Sequence, residues 1–422
     1  MWLYVLLLAV TIKTEIKTMS RKVNISVDNL PDTLRGQIHG VESAIDNESL
    51  ALFTDNKDVR ISIENAAHGL RAYSNTFNHY DLWGRFVRSG HKKLPLEEAP
   101  KKTIITRKIS EKVDGILYDG EIKITPAVVS TRKDGEDVEY LVWPSDREEK
   151  VERALIRLAS KGKIVKINFK SGIQYAVVFS MNELAQELKA VGQSMPYPQI
   201  KESLEALQGS KLSFKYSATD TKNSDIDDSF YESNMNFLSS LHFSGKKGQG
   251  GNVKCVACLN AFVHNMIDNL EYKGYYFNSA QELKRGLSRW MMLRLYHLWR
   301  YAAPGKTYHF RLLSIMEKYG SIYSTDDITE NKLKALRRDM TTTMKDLIEK
   351  GAISEYSITN VKDDKTGNIV DYTYEMHPSD QFCDEILALN KHNKRIEIQG
   401  GKRIVENAVL IDEDKLEEIV EK

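Results

Sequence analysis

An α+β protein with two tandem winged-helix (helix-turn-helix) domains behind an N-terminal extension is predicted by three observations. Helix, turn, helix and then strands occur in that order after residue 145, and the order returns after residue 279. The segment before them is polar and broken by prolines. At 422 residues the chain exceeds what one hydrophobic core usually spans, so more than one domain is expected.

The first helix opens on the capping box Ser145-Asp146-Arg147-Glu148 and carries Val151, Ala154, Leu155 and Leu158 at helical spacing, stopped at Lys161-Gly162. Ile164 to Phe169 and Ile173 to Phe179, rich in β-branched and aromatic residues about a turn, read as a hairpin. A second capping box, Ser180 to Glu183, starts a short helix through Leu188. After a turn at Val191 to Pro196, Pro198 suits the first position of a helix burying Ile200, Leu204 and Leu207. Lys211 to Tyr216 and Phe237 to Phe243 then read as strands around an acidic loop at Asp225 to Asp228.

In the second unit a long helix is predicted from Ser279 to Tyr301, with Leu283, Leu287, Trp290, Met291, Leu295 and Leu298 on one stripe. A shorter helix bears Leu312, Met316 and Tyr319 and stops at Gly320. The third runs from about Thr329 to Lys350, with Gly351 placed to end it. Ile353 to Ile358, a charged tip at Lys362 to Asn368, and Val370 to Met376 read as a hairpin wing.

These elements divide the chain into an apolar leader or mis-assigned start (1–18), an N-terminal extension and linker (19–112), a first winged domain (113–270), a second (271–380) and an acidic tail (381–422). Met19, before Ser20-Arg21-Lys22, is the alternative start. The opening apolar run is shorter than the ~20 residues a membrane span needs, so no membrane-spanning helix is expected from it. It remains open as a peripheral anchor or a buried strand. His91 to Pro95 and Ala99 to Lys102 combine proline with charge, which is the basis for the linker at 91–112. From Arg403 onward seven carboxylates face three cations, and a frayed end is the expectation there, with a docking turn at Leu416, Ile419 and Val420 as the alternative.

The third helix of the second unit carries the functional argument. Leu333, Leu336, Met340, Met344, Leu347 and Ile348 fall within an arc of about 120° at 100° per residue, its buried side. Lys334, Arg338, Thr341, Thr342 and Lys345 project at about 100°, 140°, 80°, 180° and 120° from Leu333. Long cationic donors and small hydroxyls on one stripe suit phosphates and guanine edges; a solvated charged face is the plainer alternative. In helix-turn-helix domains the reading helix occupies this position, in the major groove. Arg337 on the same helix and Lys365 at the hairpin tip are further candidate DNA contacts. Arg285, Arg289 and Arg300 on the long helix are candidate phosphate clamps. Residues 281 to 350 hold fourteen Lys/Arg and eight Asp/Glu, net +6, in a chain of net charge +1. The equivalent helix of the first unit centres on Glu202 and Glu205, which repel phosphate. That unit is expected to contact protein, with any DNA contact from its edges or from Lys246-Lys247.

No motif calls for catalysis, cofactor or metal, and a non-enzymatic role is expected. Pro304-Gly305-Lys306-Thr307 lacks the earlier glycine of a phosphate-binding loop, Arg300 standing in its place. Gly245 to Gly251 opens no helix and reads as a hairpin loop. Cys255-Val256-Ala257-Cys258 is half a zinc site with no second half, and reads better as small apolar residues in a strand. Three cysteines give no disulfide framework, so an intracellular, cytoplasmic setting is expected.

Leu287-Ser288-Arg289-Trp290-Met291-Met292-Leu293-Arg294-Leu295-Tyr296-His297-Leu298, with the Leu333 to Ile353 helix and its hairpin, resembles the second winged domain of theta-type, iteron-binding plasmid replication initiators. Ile124 to Leu158 and Phe179 to Phe214 are similar to the first winged domain of the larger members. The likeness covers roughly residues 120 to 380. It implies binding to direct repeats of about 20 bp at a plasmid origin, melting of adjacent AT-rich DNA, and recruitment of a host initiator and replicative helicase. It further implies a homodimer in equilibrium with monomer, paired through the first domain, with autorepression and copy control. A phage or plasmid transcriptional regulator is the alternative. A nucleic-acid-processing enzyme with its site in residues 20 to 140 would need clustered carboxylates for magnesium, and none stands at suitable spacing.

Overall fold

The computed structural model describes residues 73–412 except 89, 91, 114, 134–135, 171, 221–229, 246–249, 270, 326–327 and 399–409. The leader, Met19, the acidic loop at 225–228, Lys246-Lys247 and Leu416, Ile419 and Val420 lie outside the described residues. In chain order, β1 (Tyr73–Phe77) and the short helix α1 (Asn78–Leu82) lead to β2 (Lys93–Pro95), β3 (Ile105–Val113), β4 (Ile116–Thr125), β5 (Ala127–Lys133) and β6 (Glu136–Val142). Then come α2 (Asp146–Ser160), β7 (Ile164–Phe169), β8 (Gly172–Ser180), α3 (Met181–Ala190), α4 (Tyr197–Gly209), β9 (Lys211–Asp220), β10 (Tyr231–Asn236), β11 (Leu238–Ser244), β12 (Lys254–Leu259), α5 (Ala261–Asp268) and β13 (Tyr272–Tyr276). The C-terminal part holds α6 (Phe277–Gln281), α7 (Gly286–Leu298), β14 (Tyr308–Arg311), α8 (Leu312–Tyr319), α9 (Glu330–Glu349), β15 (Ile353–Lys362), β16 (Ile369–Pro378), α10 (Asp380–Ile398) and β17 (Leu410–Asp412).

The fold mixes helix and sheet, and it is richer in sheet than the sequence reading expected. Its larger sheets run β10-β9-β4-β3, β11-β12-β8-β7-β17 and β14-β16-β15, with β2-β6-β5 and the pair β1-β13 beside them. Both capping boxes form: Glu148 Oε2 accepts from Ser145 N at 2.9 Å, and Glu183 Oε2 from Ser180 N at 2.7 Å. One apolar core runs from Phe77 and Trp83 through Leu155 and Leu204 to Trp290, Met340 and Tyr374, so both helical units share it.

Residues 73–112 correct the expected extension and linker. β3 pairs with β4 along its whole length, so the boundary at 112/113 cuts through a paired strand, and β1 pairs antiparallel with β13, which joins the expected extension to the segment beyond 270. β3 alternates strictly, with Arg107, Ile109, Glu111 and Val113 buried and Thr106, Lys108, Ser110 and Lys112 exposed. Two of its four inward positions are charged, which hides the period-2 signal of a strand.

Those charges are paired across the molecule. Glu111, 4% exposed, receives both Arg294 guanidinium nitrogens at 2.9 Å from α7 and Lys318 Nζ at 2.8 Å from α8. Arg107 donates to the carbonyls of Gly84 (2.6 Å), Phe86 (2.7 Å) and Gly320 (3.3 Å). Burial, with Arg88 nearby, pulls that guanidinium down to about 10. Asp81 accepts from Thr76, Phe77 N, Arg85 and Arg153 within 2.8 Å, Arg85 also binds Glu152, and Thr76 Oγ1 lies 2.8 Å from His297 Nε2. Residues 76–113 therefore bridge α2 on one side and α7 and α8 on the other.

The expected long helix from Ser279 to Tyr301 is two helices with a break at 282–285. Gly286 permits the tight approach there: a Cβ on it would lie 2.5 Å from Asp146 Oδ1 and 2.6 Å from the Tyr319 hydroxyl. The first part of the expected tail (381–422) is the helix α10, where Phe382 packs on Tyr296 and Trp299 and Asn390 Nδ2 donates to Arg300 O at 2.6 Å.

Glu111→Ala leaves buried Arg294 and half-buried Lys318 without their carboxylate, and is expected to destabilise the fold by about 3–5 kcal/mol in urea denaturation. Burial opposes the charge of Glu111 and Glu149, but Arg294 with Lys318, and Arg88, hold these carboxyls below the usual range. A depressed folded pKa contributes stability above the unfolded value of 4.5 and loses it as pH falls through the folded one. The denaturation midpoint should therefore fall below pH 4.5 and stay level from there to neutrality with respect to these groups.

Candidate nucleic-acid interface

Helix α9 starts where Thr329 caps it, its hydroxyl accepting from Lys332 N at 3.3 Å, and ends before Gly351, whose φ of 70° requires a residue without Cβ strain. Leu333, Leu336, Met340, Thr343, Met344 and Leu347 are buried. Thr343 replaces Ile348 in the expected arc, and Ile348 is 39% exposed. The cause is in α7, where the Ser288 hydroxyl sits 3.4 Å from Thr343 Oγ1 and donates to Asp346 Oδ2 at 2.5 Å, rolling the polar edge of α9 inward.

On the opposite side Lys334, Arg338 and Lys345 are exposed and Thr341 and Thr342 are half-buried, while Arg337 is exposed at the edge of the buried stripe. Lys334 pairs with Glu330 at 2.6 Å in a fully solvated contact, which contributes little to stability. Arg337 stacks over the Tyr372 ring at 4.7 Å, fixing it toward the β16 side of the helix. Thr342 Oγ1 donates back to Arg338 O at 3.0 Å, and Thr341 engages the Tyr374 hydroxyl. Arg338 and Lys345 have no ion-pair partner among the described residues.

Beside this stripe stands the β15-β16 hairpin. Its tip is ordered by Asp363, whose Oδ1 accepts from Lys365 N, Thr366 N and Thr366 Oγ1 at 3.1, 2.7 and 2.8 Å, while Lys365 is exposed. Those bonds hold the Asp363 carboxyl below its usual range. The structure thus gathers Lys334, Arg337, Arg338, Thr341, Thr342 and Lys345 on one helix and sets Lys365 on the adjoining hairpin.

The expected phosphate clamps do not cluster. Arg289 is 2% exposed; it donates to the carbonyls of Leu283 and Lys284 at 2.8 Å each and to Asp146. It satisfies the carbonyls freed by the break between α6 and α7, and is a structural residue rather than a surface clamp. Arg285 is exposed near Asp346, and Arg300 is half-buried beyond the end of α7. Arg294 and Lys318 are likewise taken up by Glu111, so the net +6 of residues 281–350 overstates the accessible charge.

The first unit also departs from expectation. Glu202 on α4 is bound by Lys93 at 2.7 Å and Arg147 at 2.6 Å and is neutralised rather than free to repel an anion, while Glu205 has a solvated contact with Lys201 at 3.1 Å. Lys93 and Arg147, with Lys150, Gln193 and Gln199, line a cleft of about 520 Å³ beside α4. Sequence reasoning missed them because Lys93 belonged to the supposed linker. Cys255 and Cys258 are fully buried in β12 and belong to apolar clusters on opposite faces of their sheet, so they do not share a ligand position; burial pushes the Cys255 thiol up to about 12. Among the described residues no group of three or more His, Cys, Asp or Glu is placed to hold a metal ion, and no helix is long and apolar enough to cross a membrane.

Arg289→Ala and Arg338→Ala should separate sharply in chemical denaturation. The first is expected to cost about 3 kcal/mol because buried acceptors lose their donor, the second less than about 0.5 kcal/mol because its side chain is solvated.

No protein-family model matches the chain, and no curated protein sequence matches it. Among solved structures the fold is similar to domains 2 and 3 of RctB, at TM-score 0.38 and 12% identity over 71% of this chain and 98% of that one. A second structure of RctB domains 2-3 gives TM-score 0.33 and 12% identity over 69% and 97%. The Pi initiator protein in complex with iteron DNA gives TM-score 0.34 and 14% identity over 56% of this chain and 94% of that one.

Proposed function

We propose that this chain is a sequence-specific DNA-binding replication initiator that recognises direct repeats at a plasmid origin, with α9 as the reading helix. The observation that carries the reading is the stripe of exposed Lys334, Arg338 and Lys345, with half-buried Thr342 among them, beside an ordered hairpin bearing Lys365. Two long cations without ion-pair partners among the described residues retain their full capacity for phosphates and base edges. In this reading α7, β14, α8, α9 and the β15-β16 hairpin form a winged helix; the order β14-β16-β15 of its sheet, with α8 and α9 between the first strand and the hairpin, supports that assignment. The unit containing α2, α3 and α4 is the counterpart, used for protein contact and homodimerisation in equilibrium with monomer.

Iteron DNA is what the Pi initiator protein holds as solved, and DNA of that class is the ligand proposed here. Origin melting, recruitment of host initiator and helicase, autorepression and copy control complete the proposal as non-enzymatic consequences of binding. No cofactor is invoked.

The test is fluorescence anisotropy with duplexes from the DNA flanking the gene. Tandem direct repeats that bind support initiation, whereas a single palindrome over a promoter as sole ligand turns the reading to transcriptional regulation. Replacing Arg338 and Lys345 together with alanine should weaken cognate binding by ~1–3 kcal/mol for each base-edge interaction removed, and unchanged affinity rules out α9 as the reader. Lys365→Ala should weaken all sequences alike and reduce the salt slope by about 1.

A further inference from the structure

The outer edge of the five-stranded sheet is occupied from within the chain. β17 pairs in parallel with β7, Leu410 against Lys166, Ile411 against Ile167 and Asp412 against Asn168. It is the only parallel pair among the described residues, and it brings the segment beyond α10, which packs on α7, back to the first unit. An edge strand offers a row of backbone donors and acceptors that a second extended segment can complete. Three paired residues make a short seal, so it is readily exchanged.

The edge and its occupant match in chemistry. Val165, Ile167 and Phe169 of β7 join one apolar cluster, and Lys163, Lys166 and Lys170 flank it, Lys163 and Lys170 being exposed. The tail reads Val409-Leu410-Ile411-Asp412-Glu413-Asp414, apolar residues followed by three carboxylates. Lys166 lies over the Tyr175 ring at 5.7 Å, and Lys163 reaches Glu183 at 2.9 Å while about half of its side chain stays exposed.

We infer that the β7 edge is a strand-addition site for an extended apolar-acidic segment of a partner protein, and that residues 410–412 are an internal competitor that keeps it closed. The tail is thereby a regulatory element rather than an inert end. An intramolecular occupant acts at high effective concentration, so a free segment binds measurably only when the tail is released.

The experiment compares the full chain with a chain ending at residue 398, using a fluorescent peptide of residues 405–416 as probe. Saturable binding to the shortened chain, at least tenfold weaker to the full chain, is expected, with Lys163→Glu and Lys166→Glu together lowering the first severalfold. Hydrogen exchange of amides 164–169 should quicken on shortening. Equal binding to both chains, no binding to a shortened chain that keeps its circular dichroism, or dimerisation of the full chain by exchange of tails with no peptide uptake overturns the inference. Should the shortened chain fail to fold, Ile411→Pro in the full chain supplies the same readout: faster exchange at 164–169 supports the closed edge and unchanged exchange refutes it. DNA binding by α9 is read separately, so failure here leaves the origin-binding reading untouched.

Discussion

A single buried carboxylate organises the join between the two helical units. Glu111 sits on a strand of the first sheet and is shared by Arg294 of α7 and Lys318 of α8. Removing three charges from water is costly, and only mutual pairing with good geometry offsets it. The constraint extends to Arg107, which binds backbone carbonyls on two separate segments, and to Asp81, Arg85 and Arg153 beside α2. Apolar packing alone is tolerant of sliding; a charge that must meet one partner is not. The charged belt therefore fixes how the units sit, while the apolar core supplies the bulk of the burial.

What is legible in the sequence follows from this division. Capping boxes at Ser145 and Ser180, the caps of α9 and the β15-β16 hairpin rest on neighbours within a few residues, and they appear with nearly the expected bounds. β3 and Arg289 are misread because their partners lie 183 and 143 residues away. A strand whose inward positions are Arg107 and Glu111 has the composition of a solvated linker, and an arginine facing an unseen helix break has that of a surface clamp. Buried charge defeats pattern reading wherever the partner is remote.

The same effect revises the electrostatics. Counting residues makes the second unit strongly basic and the first unit's α4 repulsive to phosphate. Pairing removes Arg289, Arg294 and Lys318 from the accessible charge of the second, and cancels Glu202 in the first. What survives subtraction is a short set dominated by Arg338 and Lys345, with Lys334 weakly held. Their position on the face opposite Leu336 and Met340 is readable because helical periodicity is local. The roll of α9 that buries Thr343 and exposes Ile348 is not, since it is set by Ser288 on another helix.

Rigidity is the functional consequence of the belt. α9 is held to α7 through Ser288 and Asp346, and α7 is held to β3 through Arg294 and Glu111. This chain of bonds ties the proposed reading helix directly to the first unit. A flexible tether tolerates a range of spacings between two contact surfaces, because loop entropy varies slowly with length. A belt of buried ion pairs tolerates one, since a shift of even an ångström or two separates the charges in a medium that screens them poorly. If both units meet the same duplex, the distance between their contacts is a property of the folded protein, and the periodicity of the DNA has to conform to it.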